Sequence, residues 1–143
     1  MKTLIITMLL LVTYQCLADD IGNLSANPYN PDSTSNPYGK GSPYAPDSVN
    51  NPYGRYGSEY SNDSATNPNA SNPPKLYDQQ GNYRGELSAN PYAPDSTSNP
   101  YGRYGSEFSP DSVNNPFGAG SPYDPGSPTN PYGEGWEIVG EDE

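Results

Sequence analysis

The chain contains no histidine, and its single cysteine, Cys16, lies near the amino terminus. Without histidine, a Ser-His or Cys-His nucleophilic pair cannot form, and no serine, lysine or aspartate stands in a nucleophile elbow or a comparable context. A single cysteine also forms no disulfide within the chain, although an exported protein would be permitted one. We therefore expect no enzyme, no catalytic residue and no bound cofactor.

Positive charge is scarce as well. Six lysines and arginines stand against 17 aspartates and glutamates, which gives a formal net charge of −11 at pH 7. Nucleic acids and anionic lipid surfaces would repel such a chain. The sequence thus predicts no nucleic-acid partner and leaves an unknown protein or polymer as the expected partner.

Large aliphatic side chains are too few to form a core by themselves. Each contributes about 1.5–3 kcal/mol when buried, whereas ordering one residue costs about 1–2 kcal/mol of backbone entropy. Any compact state would have to rest on the tyrosines, and the 18 prolines and 15 glycines are typical of low-complexity or disordered chains. The aliphatic residues after position 18 are Ile21, Leu24, Val49, Leu76, Leu87, Val113, Ile138 and Val139.

The first 18 residues have the pattern of a secretory signal peptide. Lys2 precedes an apolar run over 4–12, and the small residues Cys16 and Ala18 stand at −3 and −1 of a cleavage site before Asp19. The run is too short to anchor the chain in a bilayer. We predict export to the periplasm or the extracellular space, with no membrane insertion after cleavage. Acylation of Cys16 as in a lipoprotein is the alternative, and the preceding residues 13–15 lack the lipobox pattern.

An internal duplication organises the remainder of the chain. Residues 24–39 read LSANPYNPDSTSNPYG and residues 87–102 read LSANPYAPDSTSNPYG, so that only Asn30 and Ala93 differ. The predicted organisation is a signal peptide at 1–18, a first repeat block at 19–66, a proline- and asparagine-rich linker at 67–74, a hairpin with a second repeat block at 75–129, and a terminal repeat with an acidic tail at 130–143.

Asn-Pro-Tyr-Gly recurs in both blocks and matches the type I β-turn, which favours Asn at the first position, Pro at the second and Gly at the fourth. The Asn side chain can accept hydrogen bonds from amides that follow it. These turns are the candidate interaction sites. They comprise Asn36, Pro37, Tyr38, Gly39, Asn51, Pro52, Tyr53, Gly54, Asn99, Pro100, Tyr101, Gly102, Asn115, Pro116, Phe117 and Gly118.

The proline density excludes helix and long strands from the repeats. The predicted fold class is a mostly irregular, turn-rich low-complexity repeat with one short β-hairpin near 76–87 and little or no helix outside the signal peptide. Two interpretations stay open for the repeats: a stacked array in which tyrosine packs on proline, and a solvated chain of polyproline II character with local turns. The longer units differ from the shorter ones by an inserted tyrosine, Tyr56 or Tyr104, and an inserted residue favours a surface turn.

The hairpin is predicted from LYDQQGNYRGEL, in which two short runs flank turn-forming residues 78–82. Gly22-Asn23-Leu24 corresponds to Gly85-Glu86-Leu87, so the first block contains only the second half of such a hairpin or has lost the first half. A further short strand is predicted within residues 134–139.

The segment YDQQGNYRGELSANPYAPDSTSNPYGRYGSEFSPDSVNNPFGAGSPY resembles a group of short exported bacterial proteins of unknown function. Members share a Y-D-x-x-G-x-Y-x-G-x-L start followed by N-P-Y-G and P-D-S phrases. The resemblance covers residues 76–133 and, less fully, 22–61. It implies export and no known chemistry.

The sequence-based hypothesis is an exported, non-enzymatic structural or interaction repeat protein that presents multivalent Asn-Pro-Tyr-Gly turns. The alternative is a calcium-dependent envelope or extracellular module, because aspartates recur at repeat spacing and Ca²⁺ prefers oxygen ligands. Each unit offers about one carboxylate, so we assign no metal ligand. The aspartates concerned are Asp32, Asp47, Asp63, Asp95 and Asp111.

Overall fold

Four strands form one antiparallel sheet in the computed structural model, which describes the backbone of residues 18–141 and the side chains of residues 20–140. Residues 1–17 of the predicted signal peptide lie outside the described residues. The strands occupy the stretches that lack proline, where every residue has an amide to donate. They are β1 (Ala18–Leu24), β2 (Lys75–Tyr77), β3 (Tyr83–Glu86) and β4 (Trp136–Glu141), in the spatial order β1-β4-β2-β3.

The predicted hairpin is confirmed as the antiparallel pair β2–β3, in which Lys75 is opposite Glu86 and Tyr77 is opposite Tyr83. Asp78 stabilises the loop, because its Oδ1 accepts the amides of Gln80 at 3.0 Å and Asn82 at 2.8 Å. The predicted terminal strand is β4. The sheet is larger than the single hairpin expected, since β4 also joins the hairpin to β1.

β4 completes the first block. It pairs with β1 on one side, where Gly22 is opposite Ile138, and with β2 on the other, where Leu76 is opposite Ile138. β4, from the far end of the chain, is therefore the partner strand of β1, as β2 is the partner strand of β3. The two halves match in detail: β1 forms a parallel bridge between Asn23 and Ser33, and β3 forms the equivalent bridge between Glu86 and Ser96.

Between the strands the chain makes one β-turn after another. The amide of nearly every third residue donates to the carbonyl three residues earlier, as in Ser48 to Ala45 at 3.2 Å and Asn51 to Ser48 at 3.2 Å. The expected non-helical character is confirmed for residues 18–141, which contain no helix. The segment predicted as a linker begins with the same turn, because the amide of Ala70 donates to the carbonyl of Asn67 at 3.1 Å.

Serine fills the interior of these coils. Each buried serine accepts the amide two residues ahead, as Ser48 Oγ does from Asn50 at 3.0 Å. Hydrogen bonds also join successive units, since Asn50 Nδ2 donates to the carbonyls of Thr34 at 2.8 Å and Gly41 at 3.0 Å. A small hydroxyl satisfies backbone groups in a space where a larger side chain would not fit. The serines with at most 1% exposure are Ser33, Ser48, Ser64, Ser96, Ser112 and Ser127.

The asparagine of each main turn makes two hydrogen bonds in opposite directions. Asn115 Oδ1 accepts the amide of Phe117 at 3.0 Å, and its Nδ2 donates to the carbonyl of Ser109 at 3.0 Å. The first bond follows from the turn preference. The second, to the residue six positions earlier, was not predicted, and it explains why an amide side chain occupies this position.

Asn115→Asp is therefore expected to lower the free energy of unfolding by about 1–3 kcal/mol, because a carboxylate oxygen would replace the donor facing the Ser109 carbonyl. Urea denaturation followed by near-UV circular dichroism measures the change. Asn69→Asp adds the same charge at an exposed position and is the control. Equal effects from the two substitutions would contradict the assigned role of Nδ2.

The inserted tyrosines belong to the core, and the prediction of a surface turn at this insertion is wrong. Tyr56 is 1% exposed and Tyr104 is 7% exposed. The insertion widens the turn, since the amide of Ser58 reaches the carbonyl of Gly54, four residues back, where the shorter unit has Ser42 bonded to Gly39, three back. The wider turn directs the ring inward, against the sheet. Tyr56 then packs with Ile21, Val49, Leu76, Trp136 and Ile138.

Glycines in the sheet make room for both rings. A Cβ at Gly140 would lie 2.6 Å from Cε1 of Tyr56, and a Cβ at Gly85 would lie 2.7 Å from Cγ of Tyr104. Gly85 also has a φ of +94°, which side-chain-bearing residues rarely adopt. In each repeat block, one buried tyrosine thus packs against one glycine of the sheet.

Candidate interaction surface

Eleven aromatic side chains are 82–97% exposed, and we call them the exposed ring set. They are distributed over both repeat blocks and the terminal repeat, and they include two phenylalanines, which have no hydroxyl to hydrate. Exposed aromatic surface on this scale is unusual for a soluble protein without a partner. The set consists of Tyr29, Tyr38, Tyr44, Tyr53, Tyr60, Tyr92, Tyr101, Phe108, Phe117, Tyr123 and Tyr132.

Local turn geometry directs these rings outward. Every ring of the set stands two residues after an asparagine or a serine, and the side chain of that residue accepts the amide of the aromatic residue. Examples are Tyr38 donating to Asn36 Oδ1 at 3.0 Å and Tyr44 donating to Ser42 Oγ at 3.1 Å. The polar side chain is held against the turn, and the ring projects from its outer corner.

The sixteen residues predicted as interaction sites divide into an inner and an outer group. The turn hydrogen bond is present, as from the amide of Gly39 to the carbonyl of Asn36 at 3.2 Å. The four asparagines and four glycines are buried or half-buried, whereas the prolines are exposed and the four rings are 94–97% exposed. The interpretation in which tyrosine packs on proline does not hold for these rings, because they are exposed, and serine and asparagine fill the interior.

Seven rings of the exposed ring set lie outside the four predicted turns. Most belong to the second turn of each unit, where Ser-Pro-Tyr or Ser-Glu-Tyr replaces Asn-Pro-Tyr, as at Tyr44 and Tyr60. The signal that unites them is an aromatic residue two positions after Asn or Ser, with Pro or Glu between. Tyr56 and Tyr104 follow arginine and glycine instead, and both are buried.

Contacts within the molecule engage all three arginines and Lys40. Each arginine lies over an aromatic ring, with guanidinium carbon to ring centroid distances of 5.1 Å for Arg55 over Tyr56, 5.5 Å for Arg84 over Trp136 and 5.3 Å for Arg103 over Tyr104. Each also contacts a carboxylate: Arg55 with Asp63 at 2.8 Å, Arg84 with Asp78 at 2.9 Å, and Arg103 with Asp111 at 2.7 Å. Lys40 pairs with Asp20 and Asp32.

The repeat aspartates do not converge on one point. Asp32, Asp63 and Asp111 form ion pairs, and Asp95 accepts a hydrogen bond from the Tyr83 hydroxyl at 3.2 Å. Burial and the Asp95 carboxylate raise the pKa of Tyr83 above its usual value, so this phenol stays protonated. Among the described residues no group of three acidic, histidine or cysteine side chains is placed to hold a metal ion.

A cleft of about 520 Å³ lies between the hairpin loop and the last repeat unit. Its walls include Asp78, Arg84, Tyr132, Glu134 and Trp136. Burial alone would raise the pKa of Asp78, but hydrogen bonds from Asn82, Arg84 and Gln80 outweigh this and lower its pKa below the usual value. The carboxylate is therefore ionised and committed to holding the loop and Arg84.

Asp78→Asn is expected to cost about 1–3 kcal/mol of unfolding free energy at neutral pH, through loss of a charge-assisted hydrogen bond. Because the folded pKa of Asp78 is depressed, its contribution is complete above the unfolded value of about 3.9 and is lost as the pH falls through the folded value. The gap between wild type and variant should thus shrink below about pH 4. Urea denaturation across a pH series measures it.

Asp47→Asn, at an exposed turn residue, is the matched control and is expected to change stability by no more than about 0.5 kcal/mol. A gap between wild type and Asp78→Asn that persists unchanged at low pH would contradict the ionic role.

A second cleft, of about 550 Å³, lies between the two blocks, and its lining includes Leu24, Leu87 and Val113. Its other walls are alanine, proline, serine, threonine and asparagine, without an ionisable group.

No helix within residues 18–141 combines the length and apolar character needed to cross a bilayer. The exposed ring set is therefore the feature of the described surface with the clearest capacity for binding.

Comparison with known proteins adds no relative: no family model, no curated protein and no solved structure matches the chain.

Proposed function

We propose that the chain is an exported, non-enzymatic interaction protein whose turn-rich repeats form a folded scaffold for multivalent aromatic display. The observation that carries this proposal is the 82–97% exposure of eleven rings, at equivalent positions of successive repeats. Burying a ring of this size would contribute about 1.5–3 kcal/mol. The fold forgoes that contribution at every repeat, and a partner that covers the rings would recover it.

The scaffold matters because it orders the rings before binding. The asparagine and serine bonds described above fix the backbone of each turn, so less conformational freedom is lost on association. Tyrosine also supplies a large contact area with few rotatable bonds. Repetition then adds avidity, because a second ring on the same scaffold engages a polymeric partner at a high effective concentration. Export by the predicted signal peptide is part of this proposal.

The experiment compares residues 19–143 with a ring-free variant in which all eleven rings of the set are replaced by serine. Both proteins are passed over immobilised polylysine, polyglutamate and cellulose at physiological salt. We expect at least one surface to retain wild type more strongly than the ring-free variant, which keeps every acidic residue and is still attracted to polylysine by charge. Retention of both proteins alike, or of neither, would overturn the proposal.

Folding of the ring-free variant is checked independently of binding. Trp136 is 3% exposed, and Tyr56 is 1% exposed, and neither is changed in the variant. Tryptophan emission and the tryptophan bands of the near-UV circular dichroism therefore report on the core, because Trp136 is the single tryptophan of the chain. Their preservation is required for the comparison.

The calcium alternative has no comparable observation behind it, since three of the five repeat aspartates are engaged by Lys40, Arg55 and Arg103. We expect near-UV circular dichroism of residues 19–143 to be the same after chelation with EDTA as with added calcium. A tyrosine signal that arises only with calcium would restore the alternative.

A further inference from the structure

Resting on the proposed function, we infer that the exposed ring set binds an extended cationic polypeptide rich in arginine. Three features of the molecule support this partner: the charge that remains on its surface, the way it binds its own arginines, and the repetition of the rings. The proposal names the chemistry of the partner, which the aromatic display alone leaves open.

The charge left on the surface is negative, and much of it stands beside the rings. Glu59 directly precedes Tyr60, and Glu107 directly precedes Phe108. Both glutamates are exposed, as are the rings beside them. Asp47 and Asp124 are exposed carboxylates three residues after Tyr44 and one residue after Tyr123. At these positions an exposed ring and an exposed carboxylate are close neighbours along the chain.

The molecule's own arginines show what such a pair accepts. Each of the three lies over a ring at 5.1–5.5 Å and contacts a carboxylate at 2.7–2.9 Å. A guanidinium suits this arrangement, since it stacks on an aromatic face while it donates to a carboxylate. One of these arginines, Arg103, has a side chain that is 68% exposed, so the arrangement also forms at the surface. Tyr60 and Phe108 are exposed rings that each follow an exposed glutamate directly in the chain.

Charge also distinguishes among possible partners. The net charge of −11 opposes a polyanion and a second copy of this chain, whereas it attracts a polycation from a distance. A neutral polysaccharide would use the rings and leave the neighbouring carboxylates without a role. An extended cationic chain uses both, and its repeated side chains engage several turns at once.

The test measures binding of a dodecapeptide of arginine and one of lysine to residues 19–143 by isothermal titration calorimetry. Two variants accompany wild type. The ring-free variant keeps every charge, and a four-carboxylate variant carries Glu59→Gln, Glu107→Gln, Asp47→Asn and Asp124→Asn. We expect the arginine peptide to bind tighter than the lysine peptide, and the ring-free variant to bind it at least about tenfold more weakly.

The dependence on salt separates the two contributions. The four-carboxylate variant should bind the arginine peptide more weakly than wild type, and its affinity should fall less steeply as the salt concentration rises. The ring-free variant should keep the wild-type dependence of affinity on salt. Equal affinity of wild type and the ring-free variant for the arginine peptide would overturn the inference, because charge alone would then explain binding. Tighter binding of the lysine peptide would also overturn it.

Failure of this inference can be told apart from failure of the proposed function. Ring-dependent retention on cellulose, without ring-dependent binding of either peptide, would support the proposed aromatic display and contradict the cationic partner. Absence of ring-dependent binding to every surface and both peptides would remove both.

Discussion

Tyr56→Ala is expected to lower the free energy of unfolding by about 3–5 kcal/mol, and Tyr53→Ala, only three residues earlier, to change it by no more than about 0.5 kcal/mol. Tyr56 is 1% exposed and fills the space between the first block and the sheet, whereas Tyr53 is 95% exposed. The same chemical change is thus made twice within one repeat. Urea denaturation followed by the emission of buried Trp136 measures both.

The partner of Tyr56 supplies a second, independent check. Gly140→Ala would place a Cβ 2.6 Å from Cε1 of Tyr56, and the overpacking should cost about 1–3 kcal/mol. In the Tyr56→Ala background the space is vacant, so the same substitution should cost less by about 0.5–3 kcal/mol of coupling energy. Additive effects, or equal effects of Tyr53→Ala and Tyr56→Ala, would contradict the assigned packing.

These tyrosines also show where reasoning from the sequence ends. The Asn-Pro-Tyr-Gly turns were predictable, because the preferences of Asn, Pro and Gly are local and act within four residues. Whether a given tyrosine is buried or exposed could not be predicted in this way. Tyr53 and Tyr56 are the same residue type and lie three residues apart. The difference in their burial depends on a widened turn and on Gly140, far along the chain.

The interior of the repeats could not be predicted from composition for a related reason. Large side chains normally fill a protein interior, and after position 18 of this sequence the aromatic rings are the most numerous large apolar groups. Residues such as Ser33 and Ser112 instead have no exposed surface. No buried side-chain nitrogen or oxygen among the described residues lacks a hydrogen-bond partner. Coils this narrow are held by hydrogen bonds, and whether a serine is buried or exposed depends on contacts that its neighbours in sequence do not reveal.

The same distinction between local and distant contacts applies to the sheet. The hairpin was predictable because its two strands are separated by a single short loop of turn-forming residues. The position of β4 was not, although a strand was expected there. It lies between β1 and β2, and its pairing is decided by contacts across the whole chain. The unpaired half-hairpin of the first block was the one signal that a strand was missing beside β1.

Removal of β4 is accordingly expected to have the largest effect of any change considered. A chain ending at Gly135 loses Trp136 and Ile138, which are 3% and 0% exposed, and it leaves β1 and β2 without their shared neighbour. Natural domains are stable by only about 5–15 kcal/mol, so we expect the truncated chain to lose its near-UV signal and its cooperative unfolding. Deletion of residues 142–143 alone is the control and should leave both unchanged.

A synthetic peptide of residues 134–141 makes this result specific to the strand. If the truncated chain fails because β1 and β2 lack a partner, the added peptide should restore the near-UV signal in a saturable manner, since binding to the folded state stabilises that state. A peptide with Ile138→Asp should fail, because Ile138 is fully buried at the centre of the sheet and a charge cannot be accommodated there. Cooperative folding of the truncated chain without the peptide would show that the two blocks do not depend on β4, and that the duplicated halves are stable without their shared strand.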